Sequence, residues 1–140
     1  MFSIKVKRLH EKAKIPVRAH HDDAGMDIFS CGEHLVPARQ TIKIPTGLAF
    51  ELPEGYVGLI WDKGSVSSKG IKTLGGVIDA GYRGELVIVV HNLQDAPDTF
   101  AHGDKVAQML IQKVEFPEII EAETLSESRR GTGGFGSTGK

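Results

Sequence analysis

The sequence predicts an all-β fold, a jelly-roll-like sandwich or barrel. Short stretches of alternating apolar and polar residues, such as 4–7 and 41–44, are separated by glycine and proline, a pattern typical of half-buried strands joined by tight turns. The chain contains 17 glycines and 6 prolines in 140 residues, which suits many such turns. Helical spacing is sustained nowhere, so we expect only one short helical turn near residues 65–69.

The individual strands follow from this alternation. It predicts strands at residues 4–7, 41–44, 47–52, 56–61, 86–90 and 106–114. The Pro-Glu-Gly sequence at 53–55 predicts a turn between the third and the fourth. The stretch LVIVV at 86–90 is continuously apolar, which indicates burial on both faces. Two explanations remain open for it: a central position in the sandwich, or contact with a second subunit.

Composition predicts one domain with its own core, since 40% of the residues are hydrophobic. We place this β domain at residues 1–128 and a glycine-rich arm at 129–140. The net charge of −1 gives no general attraction to nucleic acid or membrane, and no apolar run could span a bilayer, so we expect neither partner. The single cysteine, Cys31, rules out an internal disulfide and fits a reducing compartment, so we expect a cytoplasmic protein.

The last ten residues, GTGGFGSTGK, predict an arm that closes over a nucleotide. Ordering such a backbone costs about 1–2 kcal/mol per residue, whereas burying Phe135 returns only about 1.5–3 kcal/mol. The arm therefore needs a ligand to hold it. Glycines let backbone N–H groups approach phosphate, and Ser137, Thr138 and Arg130 add donors. Phe135 offers a flat face for a base.

Four further polar clusters stand out from the apolar strand pattern: AGMD at 24–27, DKGSVSSKG at 62–70, GGVIDAGYRG at 75–84 and GDKVAQ at 103–108. No histidine spacing accompanies them that would suit zinc, and no Gly-x-Ser-x-Gly sequence indicates a serine hydrolase.

Three residues in these clusters are candidates for chemistry. Asp79 follows an apolar pair at a glycine-rich bend, where a partly desolvated carboxylate could act as a general base; Asp-Ala-Gly is equally an ordinary turn sequence. Asp27 could hold a water molecule of Mg²⁺ or cap a loop. Gln108 interrupts an apolar strand, so it is either paired structurally or in contact with a ligand.

In their order and spacing, these four clusters and the arm resemble the five motifs of the trimeric dUTP pyrophosphatases (dUTPases). The third cluster and the arm match most specifically, and the resemblance covers nearly the whole chain. It implies a jelly-roll-like subunit and a homotrimer with three active sites at subunit boundaries. It also implies Mg²⁺-dependent cleavage of dUTP to dUMP and pyrophosphate, which limits uracil incorporation into DNA and supplies dUMP for dTMP synthesis.

The resemblance further implies roles for single residues. Asp79 would activate the water that attacks the α-phosphorus, and Asp27 would hold Mg²⁺ through water. Tyr82 would pack under the sugar and leave no room for a 2′-hydroxyl, while the bend would pair with the uracil edge. The predicted substrate contacts are Lys63, Gly64, Ser65, Gly76, Val77, Ile78, Tyr82, Gln108, Arg130, Phe135, Gly136, Ser137 and Thr138.

The second motif departs from the usual Arg-Ser-Gly-Leu-Ala of the family. Residues 63–67 read Lys-Gly-Ser-Val-Ser, so lysine replaces arginine and a bidentate phosphate contact is lost. The serine–glycine order is inverted, which moves the hydroxyl to Ser65. Either Ser65 still reaches the phosphates, or the N–H of Gly64 or Ser65 takes its place.

Two other functions remain as alternatives. The related dCTP deaminases share the fold and a similar third motif, but they place a catalytic glutamate in the following strand, where this chain has Val89. A hydrocarbon cannot transfer protons, which disfavours deamination. The altered second motif leaves open a non-catalytic module that binds a nucleotide or a partner protein, although the retained Asp79 argues against it.

Overall fold

The computed structural model describes residues 2–139 and confirms the all-β fold. Within that range the chain forms strands and one four-residue helix. In chain order the elements are β1 Lys5–Arg8, β2 Met26–Phe29, β3 His34–Val36, β4 Thr41–Glu51, β5 Tyr56–Asp62, α1 Gly64–Ser67, β6 Ile71–Thr73, β7 Val77–Ile78, β8 Glu85–Asn92, β9 Asp98–Phe100 and β10 Lys105–Lys113.

The strands build a two-sheet sandwich of the jelly-roll type. One four-stranded sheet has the order β1-β4-β8-β6, the other has the order β2-β10-β5-β7, and β3 and β9 form a small separate ribbon. Every strand pair is antiparallel. The apolar inner faces of the two large sheets meet in one core.

Strand β8 shows how alternation builds that core. Leu86, Ile88 and Val90 are almost fully buried, whereas Val87 and Val89 between them are half-buried. The prediction that this stretch is buried on both faces is therefore wrong for the single subunit. One face packs in the sandwich, and the other lines a cavity next to the third motif.

Buried polar groups attach the small ribbon to the sandwich. Asn92 is fully buried at the end of β8, and its side-chain amide donates to the carbonyl oxygens of Val36 (3.0 Å) and Ala96 (2.9 Å). Its Oδ1 accepts from the backbone N–H of Gln94 at 2.9 Å. The side-chain NH₂ group and carbonyl oxygen of Asn92 thus both have hydrogen-bond partners, as burial of an amide requires.

Two predicted strands, 41–44 and 47–52, are one continuous strand, β4. Its register with β8 shifts between Pro45 and Ala49, which indicates a bulge. Gly47 in this bulge has φ of 68°, and a Cβ atom there would lie 2.9 Å from the Cβ of Ala13. The glycine is needed both for its backbone angle and for this close approach.

Other elements were not predicted from the sequence. No strand was assigned at residues 24–29, but β2 begins at Met26 and all four of its residues are buried. The short strands β3, β6, β7 and β9 were missed as well. The one helix begins at Gly64, a position before the predicted turn.

After β10 the chain leaves the sandwich. The N–H of Val114 donates to the carbonyl oxygen of Gly55 at 2.9 Å, and residues 115–139 then run without helix or strand, almost wholly exposed. This exposed segment begins earlier than the arm predicted at 129, and the division at that position stays a prediction. No helix within residues 2–139 is long and apolar enough to cross a bilayer.

Candidate active site

The third motif forms a bend at the edge of the second sheet. In β7, Ile78 pairs with Gly58 of β5, and the N–H of Ile60 donates to the carbonyl oxygen of Gly76 at 3.0 Å. The N–H of Tyr82 then closes a turn by donating to the carbonyl oxygen of Asp79 at 3.1 Å. Asp79 is exposed at this turn, so the desolvation expected for it is absent in the single subunit.

A cavity of about 350 Å³ lies beside Asp79. Lys43 of β4, the half-buried Val87 and Val89 of β8, and the ring of Tyr82 help to line it. Val89 is the position where the sequence comparison placed the glutamate of the deaminases. At that position β8 therefore presents hydrocarbon to the cavity; the acid that β8 contributes to the lining is Glu85, at the start of the strand.

Tyr82 is held at this cavity by its own neighbours. Its Oη donates to the carbonyl oxygen of Glu85 at 2.8 Å, and the side chain folds over Gly84. A Cβ atom on Gly84 would lie only 2.5 Å from that Oη, so a larger residue there would displace the ring. The residue remains 44% exposed, which leaves part of the ring available to a ligand.

The first motif places Asp27 in a buried strand, 3% exposed. Lys63 Nζ lies 2.6 Å from its Oδ1, and Lys105 Nζ lies 2.9 Å from its Oδ2 without hydrogen-bond alignment. Burial alone would raise the pKa of Asp27, but the two lysines outweigh it and hold the pKa below its ordinary value. The carboxylate is therefore ionised and paired.

Asp27 already has two ammonium partners. Each carboxylate oxygen faces one of them, so a water of Mg²⁺ would have to share an oxygen with a lysine or displace that lysine. The predicted contact of Asp27 with Mg²⁺ through water stays a prediction. Within residues 2–139, no three acidic, histidine or cysteine side chains converge as metal ligands. Because Mg²⁺ is commonly held through substrate phosphates and waters, a metal carried by a triphosphate remains compatible with the chain.

Gln108 is paired structurally in this subunit. Its Nε2 donates to the carbonyl oxygen of Asp62 at 2.9 Å, and its Oε1 lies where a Cβ atom on Gly25 would have to be. Asp62 in turn accepts the N–H of Thr73 at 2.8 Å and contacts Lys72 Nζ at 2.6 Å. Burial acts to raise the pKa of Asp62, but these donors lower it below its ordinary value.

The second motif lies next to Lys105. Ser65 is exposed on α1 and shares a cavity of about 320 Å³ with Lys69 and Lys105. Lys63 immediately precedes the helix and contacts Asp27. The first, second and fourth motifs thus meet in one region, which we call the lysine cluster: Asp27, Lys63, Ser65, Lys105 and Gln108.

The lysine cluster and Asp79 lie far apart in one subunit. Asp79 follows Ile78, which pairs with Gly58, whereas Lys63 follows the other end of β5. From Gly58 to Lys63 an extended chain covers roughly 15 Å, at about 3.3 Å per residue. The cluster also lies on different strands of that sheet. The structure therefore brings the predicted site residues together in two groups rather than one.

As far as residue 139, the arm contacts neither group through a hydrogen bond. Within residues 115–139, each such bond joins positions three apart; examples are Gly133 N–H to the Arg130 carbonyl oxygen (3.1 Å) and Arg130 Nε to the Gly133 carbonyl oxygen (2.8 Å). The Phe135 side chain is completely exposed. The predicted contacts of Arg130, Phe135, Gly136, Ser137 and Thr138 with nucleotide stay predictions.

The sequence analysis assigned no role to two lysines that the structure places at these groups. Lys105 lay inside the fourth motif without an assigned function, and only its contact with Asp27 distinguishes it from a surface lysine. Lys43 reaches the Asp79 cavity because β4 pairs with β8, with Lys43 opposite Val89. No local sequence signal identifies that second residue.

Fold and site together define the class. An antiparallel sandwich carries a carboxylate beside a cavity and a separate cluster of lysines, groups that suit the hydrolysis of a phosphoanhydride. The dUTPase family model matches residues 11–139. The chain therefore belongs to the dUTPase family.

Relatives and solved structures agree with this assignment. The deoxyuridine 5′-triphosphate nucleotidohydrolase of Mycobacterium sp. (strain JLS) is 40% identical over 98% of this chain and 95% of its own length. The Staphylococcus bacteriophage 80alpha dUTPase with dUpNHpp superimposes with a TM-score of 0.94 at 33% identity, covering 99% of both chains. A mutant dUTPase from phage phi11 of S. aureus, described with a structural Mg(II) ion, has a TM-score of 0.81 at 33% identity, over 87% of this chain and 97% of that one. The chain is thus an enzyme of the dUTP nucleotidohydrolase class.

Proposed function

We propose that this enzyme cleaves dUTP to dUMP and pyrophosphate, with Asp79 activating the attacking water. The observation that carries the proposal is the cavity in which Asp79 and Tyr82 meet within a chain that matches the dUTPases along its length. The structure of the 80alpha dUTPase with dUpNHpp supports the choice of nucleotide.

In the proposed reaction Asp79 accepts a proton from a water molecule as its oxygen bonds to the α-phosphorus. The bond between that phosphorus and the bridging oxygen breaks, and pyrophosphate leaves with the electron pair. The exposed turn position of Asp79 supports this role, because a side chain at the cavity rim can reach a bound phosphate and a water molecule together.

Mg²⁺ is the proposed cofactor. When bound, it would neutralise charge on the triphosphate and orient the leaving group. The Mg(II) ion in the phi11 enzyme's description supports a metal in the family. In this chain Asp27 would meet a water of Mg²⁺ in competition with Lys63 and Lys105, so we propose that the phosphates are the main ligands.

Substrate choice is proposed to depend on Tyr82 and the bend of β7. The fixed ring of Tyr82 would lie under the sugar and exclude a 2′-hydroxyl. The backbone of Gly76, Val77 and Ile78 would pair with the uracil edge, and the tight bend would reject a thymine methyl. The half-exposed hydrocarbon of Val89 supports hydrolysis over deamination.

We further propose a homotrimer with each site shared between subunits. The placement of Asp79 and the lysine cluster towards opposite ends of β5, with roughly 15 Å of strand from Gly58 to Lys63, supports this, because one nucleotide then meets the two groups most easily when they come from different subunits. Phe116, Ile119, Ile120 and Leu125 are 77%, 96%, 75% and 90% exposed in the segment after β10. Such apolar side chains favour contact with a neighbouring subunit.

In the cell the enzyme is proposed to act in the cytoplasm, where removal of dUTP would limit uracil incorporation into DNA and supply dUMP for dTMP synthesis. The single cysteine supports a reducing compartment.

One assay tests the proposed reaction. The purified protein is incubated with dUTP, dCTP, dTTP and UTP, with and without Mg²⁺, and pyrophosphate and ammonia are measured separately. We expect pyrophosphate from dUTP with Mg²⁺ and little from the other three. Release of ammonia from dCTP would identify a deaminase instead, and binding without either product would identify a non-catalytic module.

A further inference from the structure

Two loops are hydrogen-bonded to each other beside the pairing of β2 with β10. One loop spans residues 30–33 after β2, and the other spans residues 101–104 before β10. The N–H of Ser30 donates to the carbonyl oxygen of Asp104, and the N–H of Gly103 donates to the carbonyl oxygen of Ser30, each at 2.8 Å. We call residues 30–33 and 101–104 the loop pair. These two bonds join backbone groups, which do not titrate.

A histidine makes one further bond between the two loops. The backbone N–H of Gly32 donates to Nδ1 of His102 at 2.9 Å. Only an unprotonated ring nitrogen can accept a hydrogen bond, so the contact requires the neutral ring with its proton on Nε2. A second proton would go to Nδ1 and would face the N–H of Gly32, donor against donor. Because histidine ordinarily changes its charge between pH 5 and 8, this bond depends on pH where the backbone bonds do not.

A second histidine lies next to the same glycine. Nε2 of His34 lies 2.8 Å from the carbonyl oxygen of Cys31, and since a carbonyl oxygen only accepts, this nitrogen carries a proton. A Cβ atom on Gly32 would lie 3.3 Å from that Nε2. A further proton on His34 leaves its bond to Cys31 in place. The two rings therefore respond differently to acid, and only His102 loses its hydrogen bond.

The surroundings of His102 offer no replacement for that bond. The titratable side chains on the loop pair and on the segments next to it are His10, Lys14, Cys31, Glu33, His34 and Asp104. Nζ of Lys14 lies 3.3 Å from the carbonyl oxygen of Gly103, where its charge opposes a second proton on the neighbouring ring. The carboxylate of Asp104 accepts the N–H of Ala101 at 2.8 Å. Among the ion pairs of residues 2–139, none contains His102.

The loop pair leads directly into β10. Lys105 is the first residue of that strand, it pairs with Phe29 of β2, and its Nζ lies 2.9 Å from Oδ2 of Asp27. The register of β2 with β10 shifts between Lys105 and Ala107, so the ladder is interrupted just after this pair. The contacts of the loop pair therefore help to fix the start of β10, and a change at His102 reaches Lys105.

We propose that the bond from Gly32 to His102 is a pH-sensitive latch. The neutral ring joins the loop after β2 to the loop before β10, and uptake of a proton from solvent at Nδ1 releases this contact and loosens the start of β10. The inference goes beyond the proposed function, because it needs no nucleotide and no step of the reaction.

NMR on the full, nucleotide-free chain tests the latch directly. At pH 8 the ¹⁵N signals of His102 should show a proton on Nε2 and none on Nδ1. Between pH 8 and 5.5 the protection factor of the Gly32 amide, corrected for intrinsic exchange, should fall roughly three- to tenfold, as expected for one lost hydrogen bond. A proton on Nδ1 at pH 8, or a constant protection factor, overturns the proposal.

His102→Asn separates the bond from its titration. The side-chain oxygen of asparagine can accept from Gly32 in place of Nδ1 and does not titrate, so the protection factor should stay high at both pH values. His102→Leu has no acceptor and should show low protection at pH 8 as well. His21→Asn is the matched control, because the His21 side chain is 98% exposed, and it should respond to pH like wild type.

His34→Gln tests the second ring, since glutamine keeps a donor for Cys31 and carries no charge. Under the latch this variant retains the pH response of Gly32. If the response disappears in His34→Gln and persists in His102→Asn, the latch is overturned. The amide signal of Lys105 should shift with the same midpoint as that of Gly32, and an unresponsive Lys105 contradicts transmission to β10.

Melting curves give an independent measurement and report whether each variant folds. The unfolded chain can bind the extra proton, whereas the folded chain with its latch closed cannot, so stability falls as the pH falls. From pH 8 to 5.5 the melting temperature of wild type should drop roughly 2–5 °C more than that of His102→Asn. Equal drops overturn the latch. Since none of these measurements uses dUTP, they stand or fall separately from the proposed function.

Discussion

Tyr82 Oη donates a 2.8 Å hydrogen bond to the carbonyl oxygen of Glu85, across Gly84, which is too small to push the ring away. This local bond fixes an otherwise exposed ring at the rim of the cavity beside Asp79. A ring held by its own backbone keeps one position before any ligand arrives. Such preorganisation is what a steric filter for a sugar requires.

Tyr82→Ala should therefore relax discrimination between dUTP and UTP. Removing the ring removes the obstacle to a 2′-hydroxyl, so kcat/KM for UTP should rise relative to dUTP by roughly tenfold or more. Tyr82→Phe keeps the ring and loses only the bond to Glu85, so it should discriminate much better than the alanine variant. The ratio of kcat/KM values measures the effect, and an unchanged ratio in Tyr82→Ala would place the sugar filter elsewhere.

Asp79→Asn should lower kcat by roughly 10²- to 10⁴-fold, because the amide cannot accept the proton of the attacking water. The dissociation constant for dUpNHpp should change little, since the substitution keeps size and polarity. Asp95→Asn serves as the control, because that carboxylate is exposed and pairs with Arg39. Full turnover in the Asp79 variant would exclude it from the mechanism.

Deleting residues 131–140 should abolish most of the activity and leave the melting temperature unchanged. The hydrogen bonds of the arm are local, and Phe135 is exposed, so the sandwich does not depend on the arm. Activity depends on it if the arm closes over bound nucleotide, as the sequence predicts. Steady-state kinetics and a melting curve on the same preparation check both expectations, and a fully active truncated enzyme contradicts the second.

Asp62 should make the fold sensitive to acid. Its pKa is lowered in the folded state because the Lys72 and Thr73 donors outweigh burial. Its stabilising effect is therefore complete above the ordinary carboxyl pKa of about 4 and is lost as the pH falls through the lower folded value.

The variant Asp62→Asn tests whether this stabilisation is lost as the pH falls. We expect it to reduce the free energy of unfolding by about 1 kcal/mol near neutral pH. The difference in unfolding free energy between wild type and the variant should shrink as the pH falls below about 4. Denaturant unfolding at several pH values measures it, with Asp22→Asn, an exposed carboxylate, as the control. If this free-energy difference stayed constant as the pH fell, the lowered pKa of Asp62 in the folded state would be contradicted.

Much of the fold could be predicted because apolar and polar residues alternate along a strand according to which side chains are buried. The strands around 56–61 and 86–90 were found from their apolar residues, and both lie in the observed strands β5 and β8. The short strand β7 could not be found in this way, since it has two residues and depends on pairing with β5. Burial on both faces of 86–90 is absent from the single subunit, because apolar residues on the second side of this strand line a cavity there.

The candidate site shows the same division. The resemblance to the dUTPase motifs predicted roles for Asp79 and Tyr82, and the structure places both at one cavity because their neighbours along the chain form the bend that holds them. Asp27 was expected near a metal, yet its partners Lys63 and Lys105 come from distant parts of the chain. No local pattern around Asp27 contains that information.

By itself, the sequence determined the all-β class, the family and the residues at the bend, because each depends on a repeating pattern or on neighbours along the chain. Only the tertiary structure decided that Asp27 is buried between two ammonium groups and lies far from Asp79. Strand pairing is the physical reason. It brings together β2, β5 and β10 from remote segments, and it places the bend towards the opposite end of the same sheet.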